Sequence, residues 1–295
     1  MNPKPAPLAL ADLRRSLAEA ALRTAPAAVG RVSFGVPALD EPLGGGIARA
    51  ALHEVYAPGT ADLAAATGFA VGLTIRAAQM RQVLWVRQDV LDAETGRLHP
   101  PGLAELGLDP ARILLVRARD AQDVLRAGAE AARCSALGAV LIEPWGEPRL
   151  FDLTASRRLA LAAEASGVTT VLLRASARQD ASAARTRWLV RALPSRALEA
   201  NAPGDPAFSL RLLRDRGGLG EREWRVEWDR DRQSFHERAA FQANPAFHAR
   251  PAFHETAGNQ GRTQDVAPLS RPLVPFPADG PAEEGARGPG FRRAG

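Results

Sequence analysis

Chemistry on phosphates, carbonyls or metals needs particular side chains, and this chain is short of several. Of its 38 cationic residues only Lys4 is a lysine. No later position can therefore offer a lysine to cradle a phosphate, form a Schiff base or act as a general base. That count alone excludes a phosphate loop of the usual kind, whose lysine reaches the β/γ oxygens. Cys134 is the one cysteine, which rules out an intrachain disulfide and a cysteine-based zinc cluster and fits a reducing, cytoplasmic setting. The histidines are His53, His99, His236, His248 and His254, and none forms a nucleophile–base pattern with a serine and an acid. A metal set from His236, His248 and His254 is outweighed by the plainer reading of scattered polar residues, so neither a metal nor a cofactor is expected. The repeated Pro-Ala-Phe-His at 245–248 and 251–254 suits a short docking motif that folds on a partner.

Arginine clusters are what remain. Arg185, Arg187 and Arg191 surround Trp188. Guanidinium and indole together suit single-stranded DNA, where bases stack on aromatics and phosphates pair with cations. In an alternating strand the competing reading puts Trp188 in the core and the arginines in water. The net charge of +5 and a pI near 10.6 allow an acidic partner, nucleic acid included. The preference for arginine over lysine also fits genome base composition.

These residues must be positioned by secondary structure. Hydrophobic residues make up 46% of the 295, enough for a buried core. The pattern predicts an amphipathic helix over 8–23, a strand at 52–56, a helix over 62–80 and a strand at 83–86. A short helix at 103–108, a strand at 112–116, a helix over 120–136 and a fully apolar strand at 139–143 come next. A helix over 152–166 and a strand at 168–174 close this half. Such alternation argues a parallel sheet covered on both faces. After residue 180 the runs 186–193, 208–215 and 222–229 alternate as strands, the last two joined by the glycine-rich RGGLGE turn as a hairpin. Tyr56 reads as packing, and Cys134 as a small buried hydrophobe. From residue 234 proline and glycine recur without apolar periodicity, which reads as a disordered tail. The N-terminus lacks a signal-type apolar core, and no run of about 18 apolar residues suggests a membrane span.

Three strings, in order, resemble the RecA-type recombinase core: LDEPLGGGIARAALHEVYAP (39–58), LGLDPARILLVRARDAQDVL (106–125) and LLRDRGGLGEREWRVEW (212–228). The resemblance implies an α/β fold: a RecA-like core with a mainly parallel central sheet, helices on both faces, antiparallel C-terminal edge strands and a disordered tail. The domains would be an N-terminal helix and linker (1–30), a degenerate core (31–233) and the Pro/Gly-rich tail (234–295). It also places the phosphate loop at Ala57–Ala64, and there the chain departs from the pattern. Leu63 stands at the lysine position and Ala64 at the Ser/Thr position. Asp62 replaces a glycine and would repel phosphate, while Pro58, Gly59 and Thr60 complete the loop. Glu143 falls at the Walker B position and Asp89 near the water-activating glutamate. Arg214 and Arg216 match two cationic positions that reach a neighbouring subunit's nucleotide, so a RecA protomer is a candidate contact in trans.

Among RecA-like proteins with lost catalytic residues, the whole chain resembles the ImuA family, inducible mutagenesis protein A. The string ARTRWLVRALPS (184–195) adds to that resemblance. It implies an SOS-induced role in translesion synthesis, with ImuB, an inactive Y-family-like polymerase subunit, and a C-family error-prone polymerase as partners. RecA filaments and single-stranded DNA are further expected partners, and no membrane is. ATP binding and turnover are not expected. Two other readings stand beside this one: a SulA-like inhibitor of cell division, and a RecA-like DNA-dependent ATPase.

Overall fold

The computed structural model describes residues 30–146, 149–175, 180–196 and 198–238. The helix predicted over 8–23 and the tail beyond residue 238 lie outside the described residues. Two short strands, β1 (Arg31–Val32) and β2 (Ile47–Ala48), pair across α1 (Pro37–Asp40) and a triple-glycine turn. Gly46 there has φ of 110°, and a Cβ on it would lie 2.1 Å from the Val32 carbonyl oxygen. Only glycine fits that turn.

The core then alternates. β3 (Leu52–Ala57) leads to α2 (Leu63–Ala78), and β4 (Val83–Gln88) to the short α3 (Leu91–Glu94) and α4 (Pro100–Glu105). β5 (Ile113–Ala118), α5 (Ala121–Arg133), β6 (Ala139–Glu143), α6 (Leu153–Ser166) and β7 (Thr169–Ala175) follow. Four further strands close the chain: β8 (Thr186–Leu193), β9 (Ala207–Asp215), β10 (Arg222–Asp229) and β11 (Ser234–Glu237). Among the described residues nine strands form one sheet in the order β11-β10-β9-β8-β3-β7-β6-β4-β5. It is parallel from β8 to β5 and antiparallel from β8 to β11. This is the RecA-like α/β architecture the sequence implies.

Local signals explain the element ends. Asp120 caps α5 by accepting the Asp123 amide at 2.9 Å, and Asp152 caps α6 by accepting that of Ala155 at 2.8 Å. Val124, Gly128 and Ala131/Ala132 recur at helical spacing and turn one face of α5 to the sheet. Gly128 sits against Ile142, whose Cδ1 would lie 2.6 Å from an added Cβ. α4 starts at Pro100, earlier than the apolar pattern around 103–108 suggests, because proline fits the first helical turn.

Two cores result, one on each face. Under α2, Phe34, Phe69, Trp188, Phe208, Trp228 and Phe235 form a ring cluster with centroid spacings of 4.7–6.3 Å. Under α5 and α6, Val86, Ile142, Leu159 and Leu172 fill the other face. Three expectations are corrected. The core extends past residue 233, because β11 adds Phe235 to the ring cluster and hydrogen-bonds along β10. Its four residues, Ser-Phe-His-Glu, carry too short an apolar signal to be read as a strand. Cys134 is exposed at the end of α5 rather than buried. Tyr56 does more than pack, as described below. No helix among the described residues is long and apolar enough to cross a membrane.

Candidate functional site

The segment between β3 and α2 is where a nucleotide-binding core holds phosphates on free backbone amides at a helix N-terminus. Here Gly59 is extended, and Thr60–Asp62 make one tight turn before α2. The Asp62 amide donates to the Gly59 carbonyl at 3.1 Å, and the Leu63 amide to that of Thr60. Two amides that could face a phosphate are thus spent inside the loop. The Asp62 carboxylate, ordinarily a source of repulsion for phosphate, accepts the Ala192 amide of β8 at 2.8 Å and fastens the loop to that strand. Leu63 is 5% exposed and belongs to the core under α2. Ala64 and Thr60 face solvent, and Pro58 is exposed.

A cleft of about 510 Å³ opens beside this loop, walled by Leu63, Thr67, Val71, Trp85, Leu103 and Trp145, with Arg87 and Glu143 also lining it. Glu143 ends β6 at 3% exposure. Its Oε2 accepts from Trp85 Nε1 at 3.0 Å and from Arg87 Nε at 3.1 Å. Burial pushes the Glu143 carboxyl upward, and the Arg87 charge opposes that shift. Arg87 spends its other nitrogens on Asp92 (2.7 Å), the Gly96 carbonyl (3.0 Å) and Thr95 Oγ1 (2.6 Å). The Glu143 carboxylate is therefore committed to a guanidinium from the neighbouring strand. Asp89, beyond the end of β4, pairs with Arg117 at 3.1 Å on the surface. Among the described residues, no three His, Cys, Asp or Glu side chains gather as metal ligands. Of the histidines considered for a metal, His236 pairs with Glu227 at 3.1 Å, and His248 and His254 lie outside the described residues.

The arginine–tryptophan cluster is not assembled as a DNA face. Trp188 is 0% exposed, donates to Thr186 Oγ1 at 2.7 Å and packs between Phe34, Phe69 and Trp224. No base can stack on it. Arg187 is 6% exposed and donates to Glu54 Oε2 at 3.0 Å. Arg185 is half-buried, and Arg191 alone of the four stands in the open, beside Arg211 and Glu223 in a hollow of about 210 Å³. The alternation of β8 sends Trp188 and Val190 to the ring cluster and the intervening residues to the opposite face.

Arg214 and Arg216 are exposed and in no ion pair among the described residues. Arg216 donates its amide to the Arg185 carbonyl, whereas Asp62 holds Ala192. Seven residue steps along the strand, from Arg185 to Ala192, put Arg216 about 23 Å from its own loop, and Arg214, opposite Arg187, stands about 17 Å away. Neither reaches that loop within its own chain.

Sequence reasoning overlooked two buried networks. One is Arg87 with Glu143. The other joins Glu54 and Tyr56 of β3 to Arg187 of β8: the Tyr56 hydroxyl donates to Glu54 Oε2 and accepts from Arg187 Nη2 at 2.6 Å. Burial, and then the Glu54 charge, push the Tyr56 phenol up to about 12. The signal was a charged residue inside each strand, Glu54 in LHEVYA and Arg87 in VLWVRQ, which an interior strand tolerates only when paired.

No family profile matches the chain. Two curated relatives do, each named Protein ImuA, from Caulobacter vibrioides strains NA1000 / CB15N and ATCC 19089 / CIP 103742 / CB 15. Each is 34% identical over 216 residues, spanning 68% of this chain and 78% of the relative. Among solved structures, the RadB recombinase is 16% identical with a TM-score of 0.49, covering 70% of this chain and 100% of that one.

Proposed function

This chain belongs to the ImuA family, and on that premise we propose that it is a non-catalytic, RecA-like adaptor of SOS-induced translesion synthesis. It acts in the cytoplasm by binding partners rather than by turning over a substrate. Its partners are an ImuB-type inactive polymerase subunit, a C-family error-prone polymerase and the end of a RecA filament. One observation carries the reading: at the position aligned with the lysine, Leu63 is core, and the Asp62 and Leu63 amides are spent on the loop's own carbonyls. Phosphoryl transfer depends on positioned positive charge at the transferring group, and this loop supplies none. The pairing of Glu143 with Arg87 supports the same reading, since a magnesium ion would have to displace a buried guanidinium.

The test is steady-state ATP hydrolysis by the full chain with single-stranded DNA. The reading expects no turnover above buffer. DNA-stimulated hydrolysis that disappears in Glu143→Gln would instead make the protein an ATPase. Arg214 and Arg216 are the proposed contact to a neighbouring RecA protomer. Reversing both to glutamate weakens capture of RecA in a pull-down, and unchanged capture counts against that contact.

A further inference from the structure

Among the described residues, the network beneath α6 holds two cations, Arg174 and Arg187, and one anion, Glu54. Glu54 Oε1 accepts from the Ser182 hydroxyl at 2.6 Å, and its Oε2 from Arg187 and Tyr56. Both carboxylate oxygens are taken. Arg174 of β7 lies in register with Tyr56, and its guanidinium carbon stands 5.8 Å from the Tyr56 ring centroid, against 5.1 Å for that of Arg187. The residue is 3% exposed, and its Nε is sealed from solvent without a partner. Arg174 makes no hydrogen bond and no ion pair among the described residues, although it is held against the ring. A guanidinium cannot shed its proton to escape burial. An uncompensated buried charge is among the costlier arrangements in a fold.

Arg174 also sits at the C-terminal end of a central parallel strand, the end at which open α/β sheets hold their ligands. We infer that Arg174 anchors an oxyanion site that takes a phosphate group. The planar fork binds phosphate oxygens two at a time. Tyr56 backs the fork with its ring face, and Arg187 adds a second positive charge behind the ring. A phosphate meets the fork with two oxygens and keeps two more for other donors, which a carboxylate lacks. The group is either free phosphate or a phosphodiester of single-stranded nucleic acid. The inference does not depend on the adaptor reading.

The experiment is thermal unfolding of the full chain in graded inorganic phosphate against chloride of equal ionic strength, for the wild type, Arg174→Met and Arg174→Lys. The wild type gains about 3–8 °C in Tm, saturably. Arg174→Met melts above the wild type in chloride and shows no saturable gain. Arg174→Lys keeps a smaller gain. Isothermal titration of the wild type with phosphate gives saturable heat, a readout that needs no variant. A labelled thymidine oligonucleotide identifies the source: binding that phosphate competes away and Arg174→Met abolishes assigns a phosphodiester, whereas phosphate binding alone assigns the free anion. No saturable heat, an equal unsaturable rise in every form, as general salt exclusion gives, or an Arg174→Met that melts lower in chloride overturns the site. The last result would mean that Arg174 already has its partner within the chain.

Discussion

Arg87 of β4 and Glu143 of β6 face each other across adjacent parallel strands, Nε to Oε2 at 3.1 Å, both inside the protein. A guanidinium thus lies against the carboxylate that ends β6. The pair also reaches Asp92, Thr95 and the Gly96 carbonyl, so it ties the turn after β4 to the centre of the sheet.

Breaking that pair from one side strands a buried charge. Arg87→Met is expected to lower stability by about 3–5 kcal/mol in urea unfolding, and Arg87→Met with Glu143→Leu to recover most of the loss. Additive losses in the double variant would mean that the two residues act separately.

A lysine at position 63 is expected not to create an active site. Leu63 points into the core, so Leu63→Lys buries a charge and is expected to cost about 2–4 kcal/mol, with no gain in ATP turnover. Measured turnover in that variant would show that the loop still cradles phosphate.

His53 is buried, with Nε2 donating to the Ala48 carbonyl at 2.8 Å and Nδ1 accepting from Thr186 at 2.7 Å. Burial holds its pKa down at about 4, against an ordinary 6.5. A base depressed on folding loses stability as pH falls, because the unfolded chain takes up the proton first. Chemical unfolding between pH 6.5 and 4 should therefore show a loss of about 3 kcal/mol that is absent from the His53→Gln profile.

Tyr56 is the chain's one tyrosine, so phenolate absorbance reports it alone. Its pKa, raised to about 12, keeps it protonated where an ordinary phenol titrates near 10. A phenol raised on folding adds stability below pH 10 that is lost as pH rises toward 12. A spectrophotometric titration should show the phenolate only near pH 12 or with unfolding. A transition at pH 10 in the folded protein would contradict the buried Glu54–Tyr56–Arg187 network.

The sheet was legible because its strands are apolar runs of the right length: AVLIE is β6 and TRWLVRAL is β8, residue for residue. The place of the loop was legible because it follows an apolar strand and precedes a helix. The pairings were not, since Arg87 meets Glu143 across 56 residues and Glu54 meets Arg187 across 133, and spacing along a chain says nothing about which strands become neighbours. Trp188 was ambiguous for another reason. Indole beside arginine suits both a nucleic-acid face and a strand with one face in the core, and only the ring cluster under α2 decides between them.

The central claim is that binding, not nucleotide turnover, is this protein's work. The most direct measurement is calorimetric titration of the full chain with a purified ImuB-type subunit, with and without magnesium ATP. The account predicts saturable binding with the same affinity in both. No binding, or binding that appears only with ATP, would contradict it.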